Sequence, residues 1–401
     1  MHLSGFHRLT PKQRLKAVAG YVPQDTLDDL TQSADLDALD RMTECVVGAF
    51  SMPLSIISGV NVNGVDHFAA MVTEEPSVVA AANAASALFS RAGGVRTAII
   101  TPTTRAQIML LSHDANLALQ AAGKLQMKQE NWLELANSCD PELIKAGGGA
   151  QTISFECIQQ MGIPEIFIVG NLDVATADAM GANAVNTMAE NVLREIMPFL
   201  DDEFGHNKFE PGMAILTNAS EGRLARARVS LPFEALAHFR KGVDGKTLAR
   251  RIEEASHFAQ ASTSRAITHN KGILNGVCAC ATALGQDTRA ISTAAIGYAC
   301  RSGAHKPLSI WAQTERELNG ELCLPLPVGL VGGARNGLKA IDAAFRLAQI
   351  DDYETLCGLI TSVGLAQNFS ALAALMTEGI QAGHMKLHAR KNQFNPHDTK
   401  K

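Results

Sequence analysis

No run in this 401-residue chain approaches the roughly 18 uninterrupted apolar residues of a membrane span. The N-terminal stretch "MHLSGFHRLTPKQRLKAVAGY" lacks an apolar core followed by a small-residue cleavage site, so it does not read as a signal peptide. A net charge of −5 gives no global pull toward nucleic acid or an anionic membrane. These absences read as a cytoplasmic protein. The eight cysteines, at 45, 139, 157, 278, 280, 300, 323 and 357, form no CxxC pair, and only Cys278 and Cys280 lie close together, in an apolar run. They read as buried free thiols rather than as a disulfide framework or a metal site. No GxGxxG follows a strand, so the ordinary Rossmann fingerprint is missing. There is no internal repeat and no low-complexity tract.

What is present suits a soluble globular protein: 46% hydrophobic, 19% charged, and long enough at 42.6 kDa for two or three domains with sizeable cores. Thr10-Pro11 reads as an N-cap and first-turn proline, and the first hundred residues read as mostly helical. A domain boundary falls near Thr101–Arg105, where "VRTAIITPTTR" changes the texture. Beyond it come a strand "AQIMLLS", a helical stretch 116–137, strands "AQTISFECI" and "EIFIVGNLDV", a helix 179–198 and a strand "MAILTN". That β-α-β-β-α-β order predicts a ferredoxin-like domain over 106–218, set into a larger, mostly helical domain of 1–105 and 219–375. The fold class is α/β (α+β), and 376–401 is a polar C-terminal segment. Asn319-Gly320, between two strand-like runs, predicts a hairpin turn.

Several residues stand out chemically. "DAMGANAVNTMAE" follows a buried-looking strand and opens a helix, with Gly181 allowing close backbone approach beside Asp178 and Asn183. A helix N-terminus of this kind suits a pyrophosphate, and a capped structural turn is the plainer alternative. "KAGGGAQ" and "GLVGGARNG" are weaker glycine signals that read more readily as turns. Glu75 precedes a proline at the mouth of a helix, and Asp287 reads as the N-cap of "TRAISTAAIGYAC". After Lys271 no charged residue appears until Asp287, so this lysine leads into an apolar run rather than a wet face.

Taken together and in order, "TEEPSVVAAA", "DAMGANAVNTMAE", "ITHNKGILNG", "GQDTRA", "YACRSG", "PVGLVGGA", "VGLAQN" and "TEGIQAGHMKLHAR" resemble the class II (bacterial) 3-hydroxy-3-methylglutaryl-coenzyme A (HMG-CoA) reductases over nearly the whole chain. The resemblance implies interconversion of HMG-CoA with mevalonate and coenzyme A by two successive hydride transfers, in a homodimer or an oligomer of dimers with the active site at the interface. It implies a cation at the reacting oxygen, Lys271, in a poorly solvated pocket and partnered by Asp287. Glu75 would deliver protons, and His384, on a C-terminal flap, would protonate the thiolate. Only 17 residues follow His384, fewer than a full multi-helix flap has. Arg265 would hold the acyl carboxylate, with Ser77, Asn368, Ala371 and Leu375 completing that pocket. Asp178, Met180, Gly181 and Asn183 match the dinucleotide loop, and 106–218 would be the NAD-binding domain. Asp140 matches an acidic position at the adenosine ribose, which favours NADH over NADPH because a carboxylate repels a 2′-phosphate.

Two rivals have distinct requirements. A coenzyme A-ester acyltransferase needs a cysteine activated by histidine or a helix N-terminus, and no cysteine here has that setting in the sequence. An inactive reductase-like binding protein has no need of Glu75, Lys271, Asp287 and His384 together.

Overall fold

The computed structural model describes residues 3, 5, 6, 9–32, 35–100, 103–219, 222–331, 335 and 337–379. It divides into two compact units, Met1–Ile99 with Ala225–Leu324 and Leu330–Lys401, and Ile100–Leu224 with Pro325–Gly329.

The first unit opens with α1 (Pro11–Val18), α2 (Gln24–Thr31) and α3 (Leu36–Asp40). A capping box starts α1, with Thr10 and Gln13 exchanging side chain-to-backbone hydrogen bonds. The expectation of a mostly helical first hundred residues then needs correction. β1 (Leu54–Val62) and β2 (Val65–Val72) form an antiparallel hairpin that pairs Val62 with Val65. Its two-residue turn is Asn63-Gly64, both at positive φ (51° and 89°), as a primed hairpin turn demands. α4 (Val78–Arg91) and β3 (Arg96–Ile99) complete this stretch.

The second unit carries β4 (Thr103–Ser112), α5 (Ala115–Met127), α6 (Gln129–Ser138), α7 (Pro141–Lys145), β5 (Gly149–Ile158), β6 (Ile166–Ala175), α8 (Ala182–Phe204) and β7 (Glu210–Leu216). The strands order as β5-β6-β4-β7, every neighbouring pair antiparallel, which is the ferredoxin-like arrangement. Alternate residues of β4, Ala106, Ile108 and Leu110, bury on the helix side with Val185, Met188, Val192 and Ile196 of α8. α8 runs through Pro198, where the sequence suggested an end, because Ile196 and Leu200 keep its buried stripe continuous.

The first unit resumes with β8 (Leu224–Pro232), α9 (Phe233–Leu236), α10 (Gly245–Ala261), α11 (Thr263–Ala283), α12 (Thr288–Cys300), β9 (Ser309–Gln313), β10 (Glu317–Pro325), α13 (Lys339–Ala348) and α14 (Tyr353–Leu375). β3, β8, β10 and β9 form its second sheet, in that order. Asn319-Gly320 is not the hairpin turn: both residues lie inside β10, and the chain reverses at 314–316. Gly320 sits opposite Trp311, where a Cβ would lie 2.3 Å from the indole ring. α14 is long and apolar enough to cross a membrane by mean composition, although Thr361, Ser362, Gln367, Asn368 and Ser370 interrupt its apolar residues. It is a core helix, with 94% of that window buried.

Candidate active site

Close helix approach shapes one cavity of the first unit. At Gly276 of α11 a Cβ would lie 2.8 Å from Gln367 Cβ, and at Gly364 of α14 it would lie 2.6 Å from Val277 Cγ2. The two helices therefore meet with almost no side-chain spacer. This accounts for the uncharged run after Lys271, since Ile273, Gly276, Val277 and Cys280 face the core. Where α11, α14 and α4 diverge, a cavity of about 520 Å³ opens, lined by Glu75, Ser77, Arg265, Lys271, Asn368, Ala371 and Leu375 among others. A second cavity of about 670 Å³ shares Glu75, Ser77 and Ala80 with it and includes Arg14.

Seven residues singled out in the sequence thus line one cavity. Ser77 adopts φ +76° at the start of α4, a left-handed conformation that costs a non-glycine residue roughly 1–3 kcal/mol and concentrates at functional sites. Among the described residues, Glu75, Arg265 and Lys271 enter no ion pair. Two cations six positions apart on α11 therefore reach the cavity uncommitted, about 9 Å apart along the axis. The spacing suits a ligand with a carboxylate at one end and a reacting carbonyl at the other.

Two expectations for this cavity are not met within the single chain. Lys271 is exposed rather than poorly solvated. Asp287 is not among the lining residues and makes no ion pair with Lys271. It caps α12 through the amides of Arg289 and Ala290 and pairs with the Arg289 guanidinium at 3.1 Å. Arg289 lies two residues away on the helix that Asp287 caps. That hydrogen bond is the main cause holding the Asp287 carboxyl below its ordinary range. Gly285, at φ +62°, supplies the bend between α11 and α12. His384 lies outside the described residues.

Asn368, only 1% exposed, has its carboxamide orientation fixed by its neighbours. Trp311 Nε1, which can only donate, lies 2.7 Å from Oδ1, and Ser309 Oγ donates to the same oxygen at 2.9 Å. Both lone pairs are used, so Asn368 offers only the hydrogens of Nδ2, which lies 3.1 Å from His269 Nε2. His269 Nε2 also contacts Ser309 Oγ at 2.7 Å. Burial, and secondarily Arg265, pushes the His269 imidazole down to about 4, so it is neutral near pH 7.

The dinucleotide candidates belong to the second unit. Asp178 and Asn183 are exposed, Met180 and Gly181 half-buried, all at the start of α8. Gly181 caps that helix at φ +78°, and a Cβ there would lie 2.2 Å from Thr176 Cγ2. Gly329, from "PVGLVGGA", abuts the same loop, its missing Cβ 2.4 Å from Met180 N. Asp140 caps α7, accepting from Leu143 N at 3.0 Å. Nearby Lys124 and Lys145 are paired with Glu203 and Glu142, and Lys128 lies over the Phe199 ring. Among the described residues no group of three His, Cys, Asp or Glu could hold a metal.

Sequence reasoning missed Thr268 and Asn275, which line the cavity from the same α11 face as Arg265, and Arg240, paired with Glu378 at 3.0 Å. The spacing Arg265, Thr268, Gly272, Asn275 follows the helical repeat and carried the signal. Gln367 was also missed: it lines the cavity, and its Oε1 has no partner among the described residues. The thiols of Cys157, Cys278 and Cys323 are raised by burial and that of Cys280 is pushed up to about 12, the opposite of an activated nucleophile.

Comparison with known proteins gives the family. The hydroxymethylglutaryl-coenzyme A reductase family profile matches residues 10–389. The 3-hydroxy-3-methylglutaryl-coenzyme A reductase of Archaeoglobus fulgidus is 38% identical over 97% of this chain and 86% of its own. A probable reductase of the same name from Borreliella burgdorferi is 33% identical over 97% of this chain and 88% of its own. The class II enzyme from Streptococcus pneumoniae, solved bound to NADPH in open conformations, superposes with a TM-score of 0.86 at 35% identity, covering 94% of this chain and all of that one.

Proposed function

Because the chain belongs to the hydroxymethylglutaryl-coenzyme A reductase family and is an NAD(P)-dependent oxidoreductase of class II type, we propose a role for each residue of its two candidate sites. The reaction reduces the thioester of HMG-CoA to the alcohol of mevalonate and releases coenzyme A. The observation that carries the assignment is the convergence of Glu75, Arg265 and Lys271, none of them ion-paired among the described residues, on one cavity.

Arg265 pairs with the acyl carboxylate through its planar fork, and the Nδ2 hydrogens of Asn368 donate to the same acyl group. Ser77, Ala371 and Leu375 shape that pocket, and the coenzyme A arm occupies the adjoining cavity behind Glu75. Lys271 stabilises the oxyanion that develops at the thioester carbon. Glu75 delivers a proton to that oxygen, and His384 protonates the departing thiolate. Asp287 serves Lys271 by exchanging Arg289 for the lysine on closure. A second copy of the chain covers the exposed Lys271 and Glu75 and excludes water, so the working unit is a cytoplasmic homodimer.

A nicotinamide cofactor supplies the two hydrides. The residues fit such a group: Gly181 and Gly329, where a Cβ would strike Thr176 and Met180, let the loop pack closely at the N-terminus of a 23-residue helix, whose first amides have no intrahelical partner. Asp178, Met180, Gly181 and Asn183 hold the dinucleotide in a unit that acts as the NAD-binding domain. Asp140 accepts from the ribose 2′-hydroxyl and sets a preference for NADH. Two of the nearby lysines are already committed to carboxylates, which favours that reading over a 2′-phosphate site.

The test is Lys271→Ala. Losing one oxyanion donor costs about two to three orders of magnitude in rate, and losing a full charge costs at least as much. A folded variant that retains a tenth of the wild-type turnover overturns the assignment.

A further inference from the structure

We propose that Arg223 is a positioning residue for the cofactor, tying two glycine-bearing segments into one cradle for the pyrophosphate. The inference rests on the reading of 178–183 as the dinucleotide loop. Arg223 is 1% exposed, in the turn before β8. Its Nη1 donates to Thr176 Oγ1 and to Ala179 O at 2.9 Å, and reaches Met180 O at 3.4 Å. Its Nη2 donates to Val328 O at 3.0 Å, while its own carbonyl accepts from Leu326 N at 2.8 Å. Thr176, the acceptor for Nη1, donates its own O–H to Ala179 O at 2.8 Å. One side chain thereby joins "DAMG" to "PVGLVG", two motifs about 150 positions apart in sequence.

Two consequences follow from elementary chemistry. The peptide is planar and trans, so a carbonyl pointing toward the guanidinium sends the next N–H the opposite way. With Ala179 O and Met180 O turned toward Arg223, the amides of Met180 and Gly181 turn away from it. The oxygens that would repel a phosphate are thus retained behind the loop, and N–H groups are directed to its other side. The guanidinium also places a cation behind the loop read as anion-binding. A lysine retains the charge but lacks the planar fork that spans three carbonyls and a hydroxyl.

The experiment compares full-length wild-type protein with Arg223→Met, Arg223→Lys and Gly181→Ala. It measures NADH binding by calorimetry and separate KM values for NADH and HMG-CoA, with folding checked by circular dichroism. Hydrogen bonds to a charged group predict that Arg223→Met weakens NADH binding by about tenfold or more. Arg223→Lys falls between it and wild type, and KM for HMG-CoA stays within about twofold of wild type. If Arg223→Met does not fold, Arg223→Lys carries the test. Wild-type NADH binding in the folded Arg223 variants, with Gly181→Ala weakened, overturns the role of Arg223 and leaves the loop reading intact. Equal rises in both KM values reduce Arg223 to a structural residue and also overturn the proposal. Unchanged NADH binding in Gly181→Ala overturns the loop reading and this inference with it.

Discussion

Replacing His269 by glutamine should remove an acid sensitivity that the wild-type fold carries. The imidazole is 1% exposed, fixed among Ser309 and Asn368, and pushed down to about 4 by burial with Arg265 adding to the effect. In the unfolded chain it titrates near 6.5. Between those values the unfolded chain binds a proton that the folded chain refuses, so stability is whole above 6.5 and falls as pH drops toward 4. Each pH unit of difference is worth about 1.4 kcal/mol, so the loss across that window is on the order of 3 kcal/mol. Other groups titrate over the same range, but they are common to wild type and His269→Gln. Urea midpoints of the two proteins, at one protein concentration from about pH 7 down to about pH 4.5, isolate the histidine by difference. Wild type should lose stability faster by most of that amount. Parallel curves would refute the claim that His269 is held neutral.

Other outcomes follow from the same geometry. His384→Gln should impair reduction of the thioester more than reduction of the free aldehyde, since only the first route expels a thiolate; equal losses remove the residue from sulfur chemistry. Asp140→Asn should narrow a preference for NADH over NADPH in steady-state constants, and a wild type that uses both cofactors equally contradicts the reading of Asp140. Gly364→Leu should destabilise the protein by about 1–3 kcal/mol, because its Cβ meets Val277, and an unchanged melting temperature would show that α11 and α14 can separate freely.

The sequence revealed structure wherever local pattern and tertiary packing agreed. The second unit was legible because its strands alternate and its helices carry a continuous apolar stripe, as Ala106, Ile108 and Leu110 against Val185 and Val192 show. Two of the four Asn-Gly pairs, Asn63-Gly64 and Asn319-Gly320, were indistinguishable by composition. Asn63-Gly64 turns a hairpin, whereas Gly320 stays in a strand because the Trp311 ring needs its missing Cβ. That distinction lives in a cross-strand contact that no local window contains. Pro198 misled for a similar reason, since burial of Ile196 and Leu200 outweighs the local break. At the site, Arg265 and Lys271 were found but Thr268 and Asn275 on the same helix were missed, although helical spacing carries them, and Gln367 and Arg240 reach the cavity from other elements. Asp287 was correctly read as a helix cap, and its pairing with Arg289 rather than Lys271 is a side-chain contact that spacing does not encode.

The central claim is tested most directly by counting. With purified protein, HMG-CoA limiting and reduced nicotinamide in excess, absorbance reports cofactor oxidised while a thiol reagent reports coenzyme A released. Two hydrides are needed to take a thioester to an alcohol, so two nicotinamides should be consumed for each thiol that appears. Thiol release without nicotinamide oxidation would contradict the account and point to acyl transfer or hydrolysis at the same cavity.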